Sequence, residues 1–376
     1  MLQKKIKMPK IKETRLEIDL KALAHNFNVV KSQLPPSTQI MGVVKAFAYG
    51  TDSIVVGEKL VELGASHLAV AYIEEGMRFR RRGIKVPILV FYPQLEDLSK
   101  LIKYNLIPSV YNFFFLETLQ KRLKRRKIDH FPIHIKINTG MNRLGFDLED
   151  LSKVKENLLA YNRVKVVGLF SHLSAAGNEK ENDFTNQQLN KFSLARSFFK
   201  NEITTNFISH LANSSGILSH SDIAYDMVRA GIALYGYGNN AKEQSLLKPV
   251  ASLKTIIAQL REIPKEASVG YDRKFKAKQP TMIATLPLGY ADGISRIYGN
   301  GNAQVLIQGQ KASIVGNVCM DTLMLDVTGI NCKEGDEVEI FGQQHSALAF
   351  DKNKQSIPYE LITRISRRVT RVFLDE

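Results

Sequence analysis

The sequence predicts an α/β fold in which a (β/α)8 TIM-type barrel, residues 1–245, is followed by a mostly β C-terminal domain, residues 246–376. Three observations carry this reading. Eight short apolar runs alternate with stretches of helical spacing, polar side chains gather at the carboxyl ends of those runs, and the patterning changes after about residue 245. A chain of 376 residues with 44% hydrophobic composition is long enough to bury two such cores.

The runs are IMGVVK (40–45), HLAVA (67–71), PILVF (87–91), IPSVY (107–111), HIKIN (134–138), VVGLFSH (166–172), FISHLAN (207–213) and MVRAGIALYG (227–236). Their near-continuous apolar character suits strands of a parallel sheet buried on both faces. Between them, SIVVGEKLVELG, LEDLSKLIKY, LEDLSKVKENLLA and FTNQQLNKFSLARSFF place apolar residues three and four apart, as amphipathic helices do. A doubly wound open sheet is the competing arrangement. The barrel is favoured because Lys45, Lys136, His172, Asn213 and Arg229 fall at or near the carboxyl ends of different runs, the rim where barrel enzymes build their sites.

After residue 245, SLKTIIAQL, TMIATLPL, AQVLIQG and EVEIFG alternate apolar and polar residues between Gly, Pro, Asn and Asp turns, the pattern of half-exposed strands. The helical-looking tail PYELITRISRRV closes this domain, and the lysine-rich first dozen residues are expected to be disordered at their start. The basic N-terminus lacks the apolar run of a signal peptide, and no segment is long and apolar enough to span a bilayer, so the cytoplasm is the expected compartment and no membrane partner is expected. Cys319 and Cys332 are too few and too isolated for a disulfide scaffold or structural zinc. The net charge of +15 raises nucleic acid as a partner, but the densest runs, RFRRR (78–82) and KRLKRRK (121–127), read as solvated helix faces, and no nucleic acid is expected.

The first barrel strand ends in VVKAFAYG, with Lys45 following an apolar run and Tyr49 one turn later. A lysine held in a partly apolar rim is the group that forms Schiff bases with carbonyl cofactors. Here the chain resembles the alanine racemase family, whose lysine motif is close to VVKANAYGHG; Phe47 stands in place of the usual asparagine, and Thr51 and Asp52 in place of His-Gly. The resemblance continues in order through HIKINTGMNRLGF, GLFSH, HLANSS, MVRAGIALYG, SVGYDRKF, LPLGYADG, VCMDT and PYE.

The resemblance implies a pyridoxal 5'-phosphate (PLP) enzyme that interconverts L-alanine and D-alanine and supplies D-alanine for peptidoglycan. It implies Lys45 as cofactor anchor and as the base on the D-enantiomer's face, with Tyr271 as the base on the opposite face. In this family that tyrosine reaches the site from the partner subunit of a homodimer. Racemisation removes the Cα proton on one face and returns it on the other, so two acid–base groups suffice. Both have free pKa values near 10 and must be tuned downward.

By the same resemblance, His172 and Arg229 form the relay that polarises the tyrosine, and Arg229 faces the cofactor's ring nitrogen. Tyr49, Asn213, Ser214, Gly231, Ile232 and Tyr359 hold the cofactor, chiefly its phosphate. Arg143 and Met320 would bind the substrate carboxylate, the latter from the partner subunit, and Lys136 matches a lysine often carbamylated to brace that arginine. Asn138 and Asn142 depart from the usual Asp and Gly beside it. Tyr290, Arg296 and Asp321 match the lining of the substrate entrance, where Asn317 replaces the usual arginine. Competing readings are a broader-specificity or serine racemase, a PLP decarboxylase, which the family pattern would give an acidic partner at the ring nitrogen, and a non-catalytic PLP-holding barrel, which would not need the β domain.

Overall fold

The structure, a computed structural model, describes residues 13–220, 223–351, 353 and 356–374. The first twelve residues, expected to be disordered, lie outside the described residues. The chain forms two compact units, one of Ala24–Ala48 with Ser53–Leu247, the other of residues up to Leu23, Tyr49–Asp52 and Lys248 onward.

The first of these units is a closed parallel barrel. Strand β1 (Arg15–Asp19) belongs to the other unit, and the barrel runs β2 (Gln39–Val43), β3 (His67–Val70), β4 (Ile88–Val90), β5 (Ile107–Val110), β6 (Phe131–Lys136), β7 (Val164–Phe170), β8 (Ile208–His210) and β9 (Met227–Ala230) in sequence order. β9 pairs back onto β2, with Met41 opposite Arg229, which closes the ring. β3, β4 and β5 are buried at every position, because side chains on one face fill the barrel and those on the other meet the helices. The closed barrel is the fold expected from the sequence, and all eight apolar runs supply its strands.

The crossover helices follow the same logic. In the helix Phe113–Arg126, Phe115, Leu116, Leu119 and Leu123 are buried at helical spacing. Asn112 caps the start by accepting from Phe115 N at 2.8 Å, and Lys127 ends it in the left-handed region. Its basic run KRLKRRK is a largely solvated face, as expected. RFRRR is not wholly so: Arg80 donates to the carbonyls of Tyr104, Ile84 and Val86 at 3.1, 2.7 and 2.8 Å, tying the end of the helix Ile73–Arg81 to the chain that follows.

The other unit is built on a nine-stranded sheet among the described residues. Its strands are β10 (Ala251–Ile256), β11 (Gln259–Ile263), β14 (Thr281–Leu286), β15 (Gln304–Ile307), β16 (Gln310–Val315), β17 (Leu323–Asp326), β18 (Glu337–Phe341) and β19 (Thr370–Leu374) together with β1. A short ribbon of β12 (Ser268–Val269) and β13 (Phe275–Lys276) stands beside it. β1 lies between β10, which it meets antiparallel, and β19, which it meets parallel.

Two sequence expectations differ here. Residues at the N-terminus, assigned with the barrel, include a strand of this second sheet. RLEID alternates half-buried and buried positions, the pattern of a sheet with one covered face, not of a barrel strand. On the half-buried face Glu17 accepts from Arg15 Nε at 2.8 Å and pairs with Lys254 at 3.0 Å, joining β1 to β10. The helical-looking tail is helical only over Pro358–Thr363, and the chain then runs out into β19, whose TRVFL carries strand-forming residues.

Candidate active site

Lys45 follows the end of β2. The ladder extends one residue past the strand, Val44 N donating to Ala69 O at 2.9 Å, and the backbone then reverses hand: Ala46, Phe47, Ala48 and Tyr49 have φ of 52°, 55°, 51° and 55°. A left-handed turn of four non-glycine residues costs roughly 1–2 kcal/mol per residue, so other interactions must hold it. Ala48 N donates to Val44 O at 3.0 Å, and Ala46 N donates to a carboxylate oxygen of Glu75 at 2.7 Å. Burial, then the charge of Arg143, lower the Lys45 pKa from its ordinary value, and Glu75 offsets this in part. Sequence reasoning missed Glu75, whose one signal was an acidic residue in the first turn of a helix.

A chain of buried imidazoles runs to Arg229. The Nη1 of Arg229 donates to His210 Nδ1 at 2.9 Å and to His210 O at 3.0 Å. Its Nη2 donates to Ser171 O at 2.7 Å and Leu211 O at 3.0 Å, and lies 3.1 Å from His172 Nδ1. A guanidinium only donates, so both Nδ1 atoms are acceptors and each ring carries its hydrogen on Nε2. His210 Nε2 therefore donates to His134 Nδ1, 2.9 Å away. Every acceptor on Arg229 is neutral, and among the described residues its Nε–H has no partner, leaving one charged donor for a ligand. Burial lowers the Arg229 pKa to about 9, still protonated near neutrality. Burial also holds His134 near about 3 and His67 near about 4, with His172 and His210 well below the ordinary histidine value.

Phe170 stands where carboxylates would otherwise be needed. Its ring stacks on His210, centroids 4.8 Å apart, with the Arg229 guanidinium at 5.4 Å and the Lys136 amine at 5.7 Å from its centroid. An aromatic face attracts cations without adding charge. Lys136, the last residue of β6, is pushed down to about 8 by burial and by Arg143, Arg229 and Lys45. Lys45, Lys136, Arg143 and Arg229 thus act on one another with Glu75 as the acidic neighbour acting on Lys45, an environment built for an anion. His134, His210 and Phe170 were not singled out in the sequence, although His134 and Lys136 lie two apart on β6 and so share a face.

Arg143 sits in an exposed loop tied at its base. Asn138 N donates to Phe146 O and Phe146 N to Lys136 O at 2.8 and 2.9 Å, while the Asn138 side chain accepts from Gly140 N and Asn142 N and donates to Asp147 at 2.8 Å. Asn138, a departure from the family pattern, therefore organises the loop. Gly145 has φ of +126°, and a Cβ there would lie 2.6 Å from Asn138 N. Gly145→Ala is expected to destabilise the protein by about 1–3 kcal/mol, read as a lowered urea midpoint; an unchanged midpoint would show that the loop yields freely.

The small residues after β8 and β9 meet one another. Asn213 caps the turn Ser214–Ser219 by accepting from Gly216 N at 3.0 Å, and the Ser214 hydroxyl oxygen accepts from Gly231 N at 3.0 Å and Ala233 N at 3.2 Å. Ile232 opens the short turn that follows. In the other unit the rings of Tyr49 and Tyr359 lie 6.2 Å apart, and burial raises the Tyr49 pKa so that its phenol keeps its proton.

That second unit also gathers Tyr271, Tyr290, Met320 and Asp321. The Tyr290 and Ala291 amides donate to Cys319 O and Met320 O at 2.9 and 3.0 Å, which sets Tyr290 beside Met320. Tyr271 is 71% exposed and Met320 54%, high values for apolar side chains. The Asn317 amide donates to Tyr271 O and to Asp272, both at 3.2 Å, so the residue replacing the family arginine holds the turn that presents Tyr271. Asp321 is paired with Arg368 at 2.7 Å, and Arg368 also chelates Asp292 at 2.6 and 2.9 Å, a bridge not foreseen from the sequence. Arg296 opens a short 3-10 turn, Arg296–Tyr298.

Comparison with known proteins agrees with this geometry. The alanine racemase N-terminal domain matches residues 18–239 and the C-terminal domain residues 250–373. The chain is 37% identical to alanine racemase 2 of Caldanaerobacter subterraneus subsp. tengcongensis, over 97% of this chain and 95% of that one. It superposes on an alanine racemase of Clostridium difficile 630 with a TM-score of 0.90 and 32% identity, covering 97% of each chain. It also matches the alanine racemase of Bartonella henselae solved with covalently bound pyridoxal phosphate, with a TM-score of 0.85 and 27% identity, over 97% of this chain and all of that one. Both halves of the chain carry the family's domains, and the chain belongs to the alanine racemase family.

Proposed function

We propose that this protein interconverts L-alanine and D-alanine with PLP, as a homodimer in the cytoplasm, and so supplies D-alanine for peptidoglycan. The observation that carries the reading is the rim of four cationic side chains, with Lys45 made more readily neutral and Arg229 keeping one N–H unpaired. These residues fit the cofactor: an amine made more readily neutral for its carbonyl, a charged donor for its ring nitrogen, and for its phosphate the Ser214 hydroxyl, whose oxygen is oriented by Gly231 N, with the backbone at Ile232. Asn213, Tyr49 and Tyr359 complete the holding set. Once bound, PLP withdraws electrons from the substrate's Cα and makes its proton acidic.

Lys45 takes or returns that proton on the D-enantiomer's face, and Tyr271 of the partner subunit does so on the other. Exposure of Tyr271 and Met320 on a single chain supports a shared site in a dimer. His172, its Nδ1 accepting from Arg229, has Nε2–H left to donate to the tyrosine oxygen, which stabilises the phenolate. Arg229 donates without yielding its proton, unlike the acidic partner of a decarboxylase. Arg143 and Met320 bind the substrate carboxylate, and Lys136, partly neutral and ringed by cations, is placed to take up carbon dioxide as a carbamate that braces Arg143. Tyr290, Arg296 and Asp321 line the approach.

Borohydride treatment of the purified yellow protein is expected to bleach it and leave a pyridoxyl label on Lys45 by peptide mapping. A colourless protein that takes up no PLP overturns the proposal. Asn317 favours testing serine beside alanine, and equal or better serine turnover would displace alanine as substrate.

A further inference from the structure

The residues that hold the backbone behind Lys45 lie on one helix. Glu75, in the first turn of Ile73–Arg81, uses both carboxylate oxygens as acceptors. Oε1 takes Ala46 N at 2.7 Å, and Oε2 takes Ala71 N at 2.7 Å and Tyr72 N at 3.2 Å. One turn further, the Arg78 guanidinium lies 5.1 Å from the centroid of Phe47, the residue that departs from the family motif. The left-handed turn at Ala46–Tyr49 is thus fastened at two successive residues, by an ion and by a cation on a ring.

We propose that Glu75 is a positioning residue for Lys45: its carboxylate ties the strained turn behind the lysine to the end of the neighbouring strand, fixing where the amine stands. All three partners are N–H groups, so only an ionised carboxylate satisfies them. A side-chain amide would keep one set through its oxygen but turn its own N–H toward the other, leaving that set unmade. Charge-assisted bonds of this kind are roughly twice as strong as neutral ones, which suits them to offset the cost of the turn. The charge acts on Lys45 as well. The lysine faces Arg143 and Glu75 and itself acts on Lys136 and His172, and Glu75 alone of these raises its pKa.

The catalytic part of this inference rests on the racemase reading, whereas the tether does not. Glu75→Gln in the full-length holoenzyme is expected to speed backbone amide exchange at Ala46, or at Ala71 and Tyr72, while the other barrel strands keep their protection. It is also expected to move the acidic limb of the kcat profile for D-alanine to lower pH by about one unit, because removing the negative charge makes Lys45 neutral at lower pH. Glu75→Asp keeps the charge but is one methylene short, so faster exchange at Ala46 is expected with the limb near its wild-type place. Unchanged exchange at all three amides in both variants overturns the tether, and an unmoved limb in Glu75→Gln overturns the influence on Lys45. If Glu75→Gln does not fold, Glu75→Asp decides the tether. A wild-type protein that does not racemise alanine would sink the racemase reading and leave the exchange result standing.

Discussion

Tyr271→Phe is expected to lower kcat for L-alanine by roughly 10²–10⁴-fold, the usual worth of a positioned acid–base group. The loss should be asymmetric in a way that a merely misfolded site would not produce. In deuterated water, D-alanine should still exchange its Cα proton through Lys45 while failing to invert, and L-alanine should neither exchange nor invert. The Asn317 hydrogen bond to the Tyr271 carbonyl does not depend on the phenol, so the turn that presents residue 271 should persist. Racemisation of L-alanine at the wild-type rate would dismiss the two-base mechanism.

Acid should destabilise the protein steeply, and the cause lies inside the barrel. His67, His134, His172 and His210 all have folded-state pKa values below the ordinary 6.5, with burial as the first cause and neighbouring cations adding to it in the last three. Above about pH 7.5 they are neutral whether the chain is folded or not and contribute no slope. Below about 6.5 the unfolded chain takes up protons that the folded one refuses, so stability falls with pH, by up to about 1.4 kcal/mol per unit for each histidine. For His67 and His134 the window runs down to about 4 and about 3. The chain has no tryptophan, so circular dichroism of urea unfolding is the suitable measurement. The midpoint should drop markedly between about pH 7.5 and about pH 5, and less so in His210→Gln. A flat midpoint would mean that these rings take up protons within the fold.

Much of this architecture can be read in the sequence because buried parallel strands declare themselves: IMGVV, HLAV and ILV admit hardly a polar residue. β1 escaped because five residues of RLEID carry too short a pattern to say which sheet they join, and both of its neighbours lie more than 200 positions away. The site was legible where chemistry sits in the motifs, as with Lys45, Arg229 and Ser214. Glu75 was not, since its task depends on a backbone turn made about thirty positions earlier and brought close by the pairing of β2 with β3. His134 and His210 were not singled out in the sequence, and their place in the buried hydrogen-bond chain emerges only from the donor that Arg229 must be. Asn317 read as a loss of the family arginine, whereas its amide makes bonds of its own.

The place of β1 between β10 and β19 also bears on how the chain is made. β1 is synthesised before any of the barrel, but both of its partner strands come after it, β19 among the last residues. The barrel can close on the ribosome from contacts made in sequence order, whereas β1 waits for β10 to gain its first neighbour and for β19 to gain its second. Pairing so distant in sequence is slow to form and leaves strand edges open meanwhile. Loss of β19 would leave β1 paired with β10 on one side and with an open edge on the other.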